Sequence, residues 1–195
     1  MFTIIEKGGP IMWPLLAVSL ISITILFERA LFLFLYLLAN NSGHRSKFVK
    51  LLSENNLKEA VSLASFSKDP LLQVITDSNL NTLKSFQISF KESASSLLKR
   101  ITKGIGILDT AITIAPLLGL LGTVSGLMQS FSSLGTSDLN SPVAVTGGIG
   151  EALLATAFGL GIAIVNLVPF NYLSNLEAKT KDDLERLGTQ VEEIL

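Results

Sequence analysis

Residues 117–131 read Leu117-Leu-Gly-Leu-Leu-Gly-Thr-Val-Ser-Gly-Leu-Met-Gln-Ser-Phe131, and this stretch decides the fold. It lies inside Thr110–Ser137, 28 residues without Asp, Glu, Lys or Arg. In a water-soluble helix Gly119, Gly122 and Gly126 would each cost about 1 kcal/mol relative to alanine. In a bilayer that cost is offset, because small residues let helix backbones approach and pack. The stretch therefore reads as a membrane helix held tightly against other helices.

Two more charge-free runs accompany it, Gly8–Phe27 and Ala152–Leu176. Each supplies the ~20 residues that a hydrocarbon core of about 30 Å requires. Composition agrees with three spans: of 195 residues, 48% are hydrophobic and 16% charged, and the mean hydropathy is +0.53. The chain has no cysteine, which excludes a disulfide framework, a thiolate metal site and a cysteine nucleophile.

The net charge of -1 says little, but its distribution sets an orientation. Ten of the fifteen Lys and Arg residues fall between Asn40 and Gly104, with Lys99, Arg100 and Lys103 at the foot of the second span. The connection Ser132–Gly148 has no basic residue and one acid, Asp138. The excess of basic residues expected on the cytoplasmic side puts the long segment inside, the short connection outside, the amino terminus outside and the carboxyl terminus inside. Lys179, Lys181 and Arg186 after the third span fit that assignment. No basic region precedes the first apolar run and no clear cleavage site follows it, so a cleaved signal peptide is not expected.

The expected architecture is an all-α integral membrane protein with three transmembrane helices and long cytoplasmic helical extensions. Residues 1–39 hold the external amino terminus and first span, 40–105 a cytoplasmic helical segment, and 106–134 the second span. An external loop follows at 135–148, then the third span at 149–173 and a cytoplasmic carboxyl-terminal helix at 174–195. Taken as one helix, Pro10–Leu38 would run roughly 43 Å. Pro10 and Pro14 fall in or near its first turn, where proline removes few hydrogen bonds. Asn40–Gly43 is the break.

In the cytoplasmic segment, Asn56-Leu-Lys-Glu59 has the form of a capping box. Asp69-Pro70 is a second helix start. Leu83, Phe86, Phe90, Ala94, Leu97 and Ile101 recur at helical spacing. They predict one long helix rising into the second span, with a bend permitted at Gly104 and Gly106. Leu173, Leu176, Leu184, Leu187, Val191 and Ile194 form an apolar stripe suited to packing on neighbouring helices.

Catalysis has little to work with. His44, the only histidine, reads as a solvated loop residue. No metal-ligand cluster, phosphate-binding loop or nucleophile elbow is present, and the glycines of Gly119–Gly126 follow no β-strand. No enzyme activity, metal, cofactor or nucleic-acid partner is expected.

Polar groups within the spans carry more information, because burial in lipid is expensive. Thr123 shares a helical face with Asp109, Thr113, Pro116, Leu120, Leu127 and Ser130. Its alternative role is to return a hydrogen bond to a carbonyl of its own helix. Glu151 opens the third span as an interfacial anchor or part of an ion pathway. Thr156 is about 140° further around that helix and shares a face with Ala163 and Phe170. Ala155, Gly159 and Ala163 make a small-residue row suited to close packing. Asn166 reads as interhelical glue. Glu28 and Arg29 read as an edge pair that snorkels to water and headgroups. Asp109 lies at the cytoplasmic mouth of the second span.

Ala115-Pro-Leu-Leu-Gly-Leu-Leu-Gly-Thr-Val-Ser-Gly-Leu-Met128 resembles the second-span signature of the ExbB/TolQ/MotA proton-channel family. Gly147-Gly-Ile-Gly-Glu-Ala-Leu-Leu-Ala-Thr-Ala-Phe-Gly-Leu160 is similar to its third-span signature. Order and distance agree, and the pair Glu28-Arg29 closing the first span fits ExbB-like members.

The resemblance implies a multi-pass subunit of the bacterial inner membrane. It would form a homo-oligomeric ring, typically a pentamer, whose second and third spans surround a pore. That pore would hold single-span helices of an ExbD/TolR-like partner whose aspartate carries protons, the coupling ion. Thr123 and Thr156 match the family's pore threonines and Glu151 its third-span glutamate. Asp109 would sit at the cytoplasmic mouth, and the first span would face lipid. Three spans and a modest cytoplasmic segment favour ExbB or TolQ over the four-span flagellar stator, and of the two an ExbB-like role with a TonB-like protein is preferred. A TolQ-like envelope-maintenance role is the nearest alternative, and a passive oligomeric scaffold is the reading from another class.

Overall fold

The computed structural model describes residues 9–134 and 142–195, and among these every regular element is an α-helix. The connection carrying Asp138 lies outside the described residues. We number the helices α1 (Met12–Ala39), α2 (Ser42–Ser53), α3 (Leu57–Phe66), α4 (Pro70–Thr76), α5 (Leu83–Thr102), α6 (Ile105–Leu134) and α7 (Pro142–Glu192). Met12–Ala39, Leu83–Ser132 and Thr146–Glu192 are long and apolar enough to cross a membrane.

Local chemistry sets the short helices. The Asn41 side chain accepts from the Gly43 and His44 amides at 3.1 and 3.3 Å and caps α2. Asn56 caps α3, its Nδ2 donating to Glu59 at 2.5 Å. Asp69 caps α4 with Pro70 at the first helical position. Thr82 and Ser85 form a reciprocal capping box at the start of α5.

Two boundaries differ from the sequence reading. The helix rising from Leu83 is interrupted between Thr102 and Ile105, where Gly104 adopts φ +80°. That left-handed conformation suits glycine and ends an α-helix. The last helix starts at Pro142, ahead of the expected 149, and continues for 51 residues into the carboxyl-terminal region. Proline at a first helical position loses no intrahelical bond, and no glycine or proline follows Pro169 until Gly188.

The chain divides into two compact units, one of Met1–Glu28 with Gly104–Asn171 and one of Arg29–Lys103 with Tyr172–Leu195. The second unit has an apolar core of Tyr36, Phe48, Leu72, Ile75, Phe86, Leu97, Ile101, Leu184 and Val191, among others. The stripe on the end of α7 therefore packs within its own chain, with Leu187 buried and Leu176 and Ile194 partly buried against this core. At Gly188 an added Cβ would come within 2.7 Å of the Phe90 ring, so α5 and α7 approach closely there.

Two polar residues of this unit, Arg29 and His44, behave differently from their sequence reading, and Asp69 does more than cap. Arg29 does not snorkel: it is 3% exposed, and its guanidinium donates to the carbonyls of Arg100 at 2.9 Å and Ile101 at 3.4 Å. It also lies 4.8 Å from the Phe32 ring centroid, a cation–π distance. The carbonyls at the end of α5 have lost their intrahelical donors, so a cation there satisfies both hydrogen bonding and the helix dipole. His44 is in the first turn of α2, half-buried, with Nδ1 3.1 Å from Ser67 Oγ. Asp69 is fully buried and accepts from the Asn41 and Leu71 amides at 2.8 and 3.0 Å. It also pairs with Arg45 at 3.0 Å, and Arg45 reaches Asp183 at 3.4 Å.

Candidate functional site

In the first unit, α6 and α7 meet along a seam of small residues. A Cβ added to Gly119 would lie 2.9 Å from the Thr156 Cα, and one on Gly122 would lie 2.5 Å from the Ala155 Cβ. Gly126 faces Ala152 and the Gly148 carbonyl at 3.0 and 3.1 Å on the same measure. A Cβ on Gly159 would run into the Ala115 carbonyl. Gly119 and Gly159 thus put backbone on backbone, and Gly122 and Gly126 leave room for the methyls of Ala155 and Ala152. Met12 and Leu15 of α1 close over Ala115 and Ala155, with Ile11, Val18, Leu118 and Ile162 around them. Ala163, the last of the small-residue row, is half-buried.

Both candidate threonines bond to carbonyls of α6. Thr156 Oγ1 donates across the seam to the Gly119 carbonyl at 2.9 Å. Thr123 Oγ1 donates to the next carbonyl of α6, that of Leu120, at 2.7 Å. Two hydroxyls from different helices are therefore held at consecutive carbonyls. Beside them runs the face that the sequence singled out. Asp109, Thr113, Leu120 and Leu127 are exposed on it, Pro116 and Thr123 are half-buried, and Ser130 is buried with its hydroxyl on the Gly126 carbonyl at 2.8 Å. Thr113 Oγ1 returns to the Asp109 carbonyl at 3.1 Å.

Glu151 is not part of that pairing. Its carboxylate lies against the backbone of Gly9, just before α1, where an added Cβ would occupy the same space. Gly9 has φ +70°, so the position requires glycine both for its conformation and for the carboxylate. Asn166 is buried and donates through Nδ2 to Ser22 Oγ at 3.2 Å and to the Ile162 carbonyl at 2.7 Å. Among the described residues its Oδ1 has no hydrogen-bond partner. Nothing in the spacing signals the Gly9–Glu151 contact, since the two residues lie far apart in the chain. The acceptor of Thr156 was likewise hidden, because any carbonyl near Gly119 would serve. Among the described residues no cluster of His, Asp or Glu could hold a metal ion.

These features define a multi-pass helical membrane protein whose second and third spans are fused along a glycine seam edged with hydroxyls. The chain belongs to the MotA/TolQ/ExbB proton channel family, whose profile matches residues 53–186. It is 32% identical over 193 residues to the biopolymer transport protein ExbB-like 1 of Synechocystis sp., covering 95% of this chain and 75% of that protein. It is 33% identical over 174 residues to ExbB-like 3 of the same organism, with 87% and 82% covered. It is also 31% identical over 188 residues to biopolymer transport protein exbB1 of Vibrio cholerae, with 92% and 82% covered. The family is one of proton channel and transport subunits, not enzymes.

Proposed function

We propose that this chain is the ring-forming subunit of a proton-driven motor of the inner membrane, with the amino terminus periplasmic and the carboxyl terminus cytoplasmic. An ExbD/TolR-like single-span partner occupies the ring, and the work energises TonB-dependent transport across the outer membrane. The observation that carries this reading is the pair of hydroxyls, Thr123 and Thr156, held at the consecutive carbonyls of Leu120 and Gly119. Around them the spans bear no fixed charge, from Thr110 to the end of α6 and from Ala152 to Leu176.

Hydroxyls and carbonyls can hydrate and relay a proton without trapping a cation. With no carboxylate in mid-span, the titrating acid comes from the partner's aspartate, and this chain alone conducts poorly. Transmembrane potential supplies about 2.3 kcal/mol per charge per 100 mV, and several protons per cycle suffice to turn or tilt the partner against the ring.

The test is proton flux into liposomes containing the chain with its single-span partner, comparing wild type with Thr123→Val and Thr156→Val. Partner-dependent flux that both variants lose, with assembly intact, is the expected result. A second reading, a passive scaffold, is favoured by one observation: both hydroxyls already have acceptors within the chain. Unchanged flux in both variants moves them to that structural role, and no flux in any complex puts the scaffold first.

A further inference from the structure

The second unit contains a cavity of about 660 Å³ lined by Arg45, Lys179 and Arg186, with Asp183 as its one carboxylate. Ser42 and Ser46 add hydroxyl donors, and Asn40 and Gln190 add amides. Arg45 is committed on its far side to buried Asp69, and Asp183 is held by Arg45. Among the described residues neither Lys179 nor Arg186, both exposed on α7, forms an ion pair, so the lining keeps a basic balance. An adjoining cavity of about 300 Å³ shares Asn40, Arg45, Lys179 and Asp183 and continues along Tyr36, Leu37, Tyr172 and Leu176. Leu37 and Leu38, immediately before Asn40, are exposed at 51% and 70%. A basic, hydroxyl-lined end thus adjoins a stretch where Leu37, Leu71 and Leu176 supply apolar surface beside Asn175 and Thr180.

We propose that this pocket binds a phosphate-bearing anion, with Lys179 and Arg186 as the recognising cations and Arg45 positioned by its two carboxylates as the third donor. Guanidinium and ammonium groups with adjacent hydroxyls match a phosphodiester's oxygens. The apolar continuation past Leu37 points to an anionic phospholipid as the source, its headgroup against α7 and its chains along the end of α1. Such a lipid would bridge α1 and α7 within this unit, a role separate from the proton path.

The test uses the full chain in an uncharged detergent and measures binding by native mass spectrometry and thermophoresis. Phosphatidylglycerol, phosphatidylcholine and inorganic pyrophosphate are offered in separate arms. Wild type is expected to bind phosphatidylglycerol in preference to phosphatidylcholine. Lys179→Gln combined with Arg186→Gln weakens that binding roughly thirtyfold, a factor of about five for each cation. Lys181→Gln, on the same helix but outside the pocket, leaves it unchanged. If pyrophosphate alone shows the variant-dependent loss, the phosphate site stands with a soluble ligand as its source. If the double variant binds every probe as wild type does, or Lys181→Gln loses as much, the proposal is overturned. The single variants, with helix content checked by circular dichroism, separate lost recognition from lost folding.

Discussion

Thr156 donates its hydroxyl to the carbonyl of Gly119 on the facing helix, 2.9 Å away. A bond of this kind between membrane helices contributes about 0.6 kcal/mol on average, with the largest near 1.7. Thr156→Val keeps the shape and removes the donor, so it should destabilise the chain within that range. Thr156→Ser keeps the donor and should retain most of the stability. Unfolding of the detergent-solubilised chain measures both. A valine variant as stable as wild type would remove this bond from the fold's support.

The seam makes a sharper demand at its glycines. Gly159→Ala drives a methyl into the Ala115 carbonyl, and Gly119→Ala drives one to 2.9 Å from the Thr156 Cα. Backbone cannot rotate aside, so α6 and α7 must separate, at a cost of about 1–3 kcal/mol. Gly161→Ala meets nothing within 4 Å among the described residues. It should gain part of the roughly 1 kcal/mol by which alanine outperforms glycine in a helix. Thermal melts of the three variants should rank Gly161→Ala above wild type and the other two below it.

Asp69 concentrates several roles in one buried carboxylate. Asp69→Ala removes the α4 cap, the acceptor of the Asn41 amide and the partner of Arg45 together. Losing one member of a buried pair costs about 3–5 kcal/mol, and the lost cap adds about 1. Asp69→Asn can keep a cap acceptor while losing the charge, so it should fall between. Circular dichroism melts of the full chain check the order, and an alanine variant equal to wild type would contradict it.

Asn166 should prove more tolerant than its burial implies. Ser22 also donates to the Ser19 carbonyl at 3.0 Å, so it stays satisfied without Asn166. Among the described residues the Asn166 Oδ1 has no partner to lose. Asn166→Leu should therefore change stability by less than about 1 kcal/mol, in keeping with interhelical bonds measured in membranes. Asn166→Asp replaces the amide with a charge in an apolar unit and should cost about 2.5 kcal/mol or more. A melt in which the leucine variant falls as far as the aspartate variant would count against this account.

Features written in local spacing were legible before the fold was known. Gly119, Gly122, Gly126 and Gly159 announce close packing by their cost in any other setting, and Asn56 and Asp69 announce helix starts through the donors they satisfy. Contacts between distant positions were not. Arg29 resembles any arginine at a membrane edge until α5 brings the Arg100 and Ile101 carbonyls to it. The stripe through Leu184, Leu187 and Val191 shows that α7 packs, yet says nothing of whether the partner is this chain or another. Thr123 and Thr156 were legible as polar groups in lipid. The acceptor of Thr123 is the own-helix carbonyl its sequence reading allowed, while that of Thr156 was not legible, because a threonine finds a carbonyl on its own helix or on a neighbour with equal ease.

Side chains ordinarily lubricate the contact between two helices, because a rotamer can swing and absorb a small slip. At Gly119 and Gly159 there is nothing to swing, only backbone resting on backbone, and at Gly126 only the methyl of Ala152 comes between. The second and third spans are in consequence keyed together like the halves of a ratchet, free to change register only by a whole turn, about 5.4 Å. They act as one stiff plate. Any stroke of the proposed motor is therefore taken up where this plate meets something else, and the seam passes the load on without yielding to it.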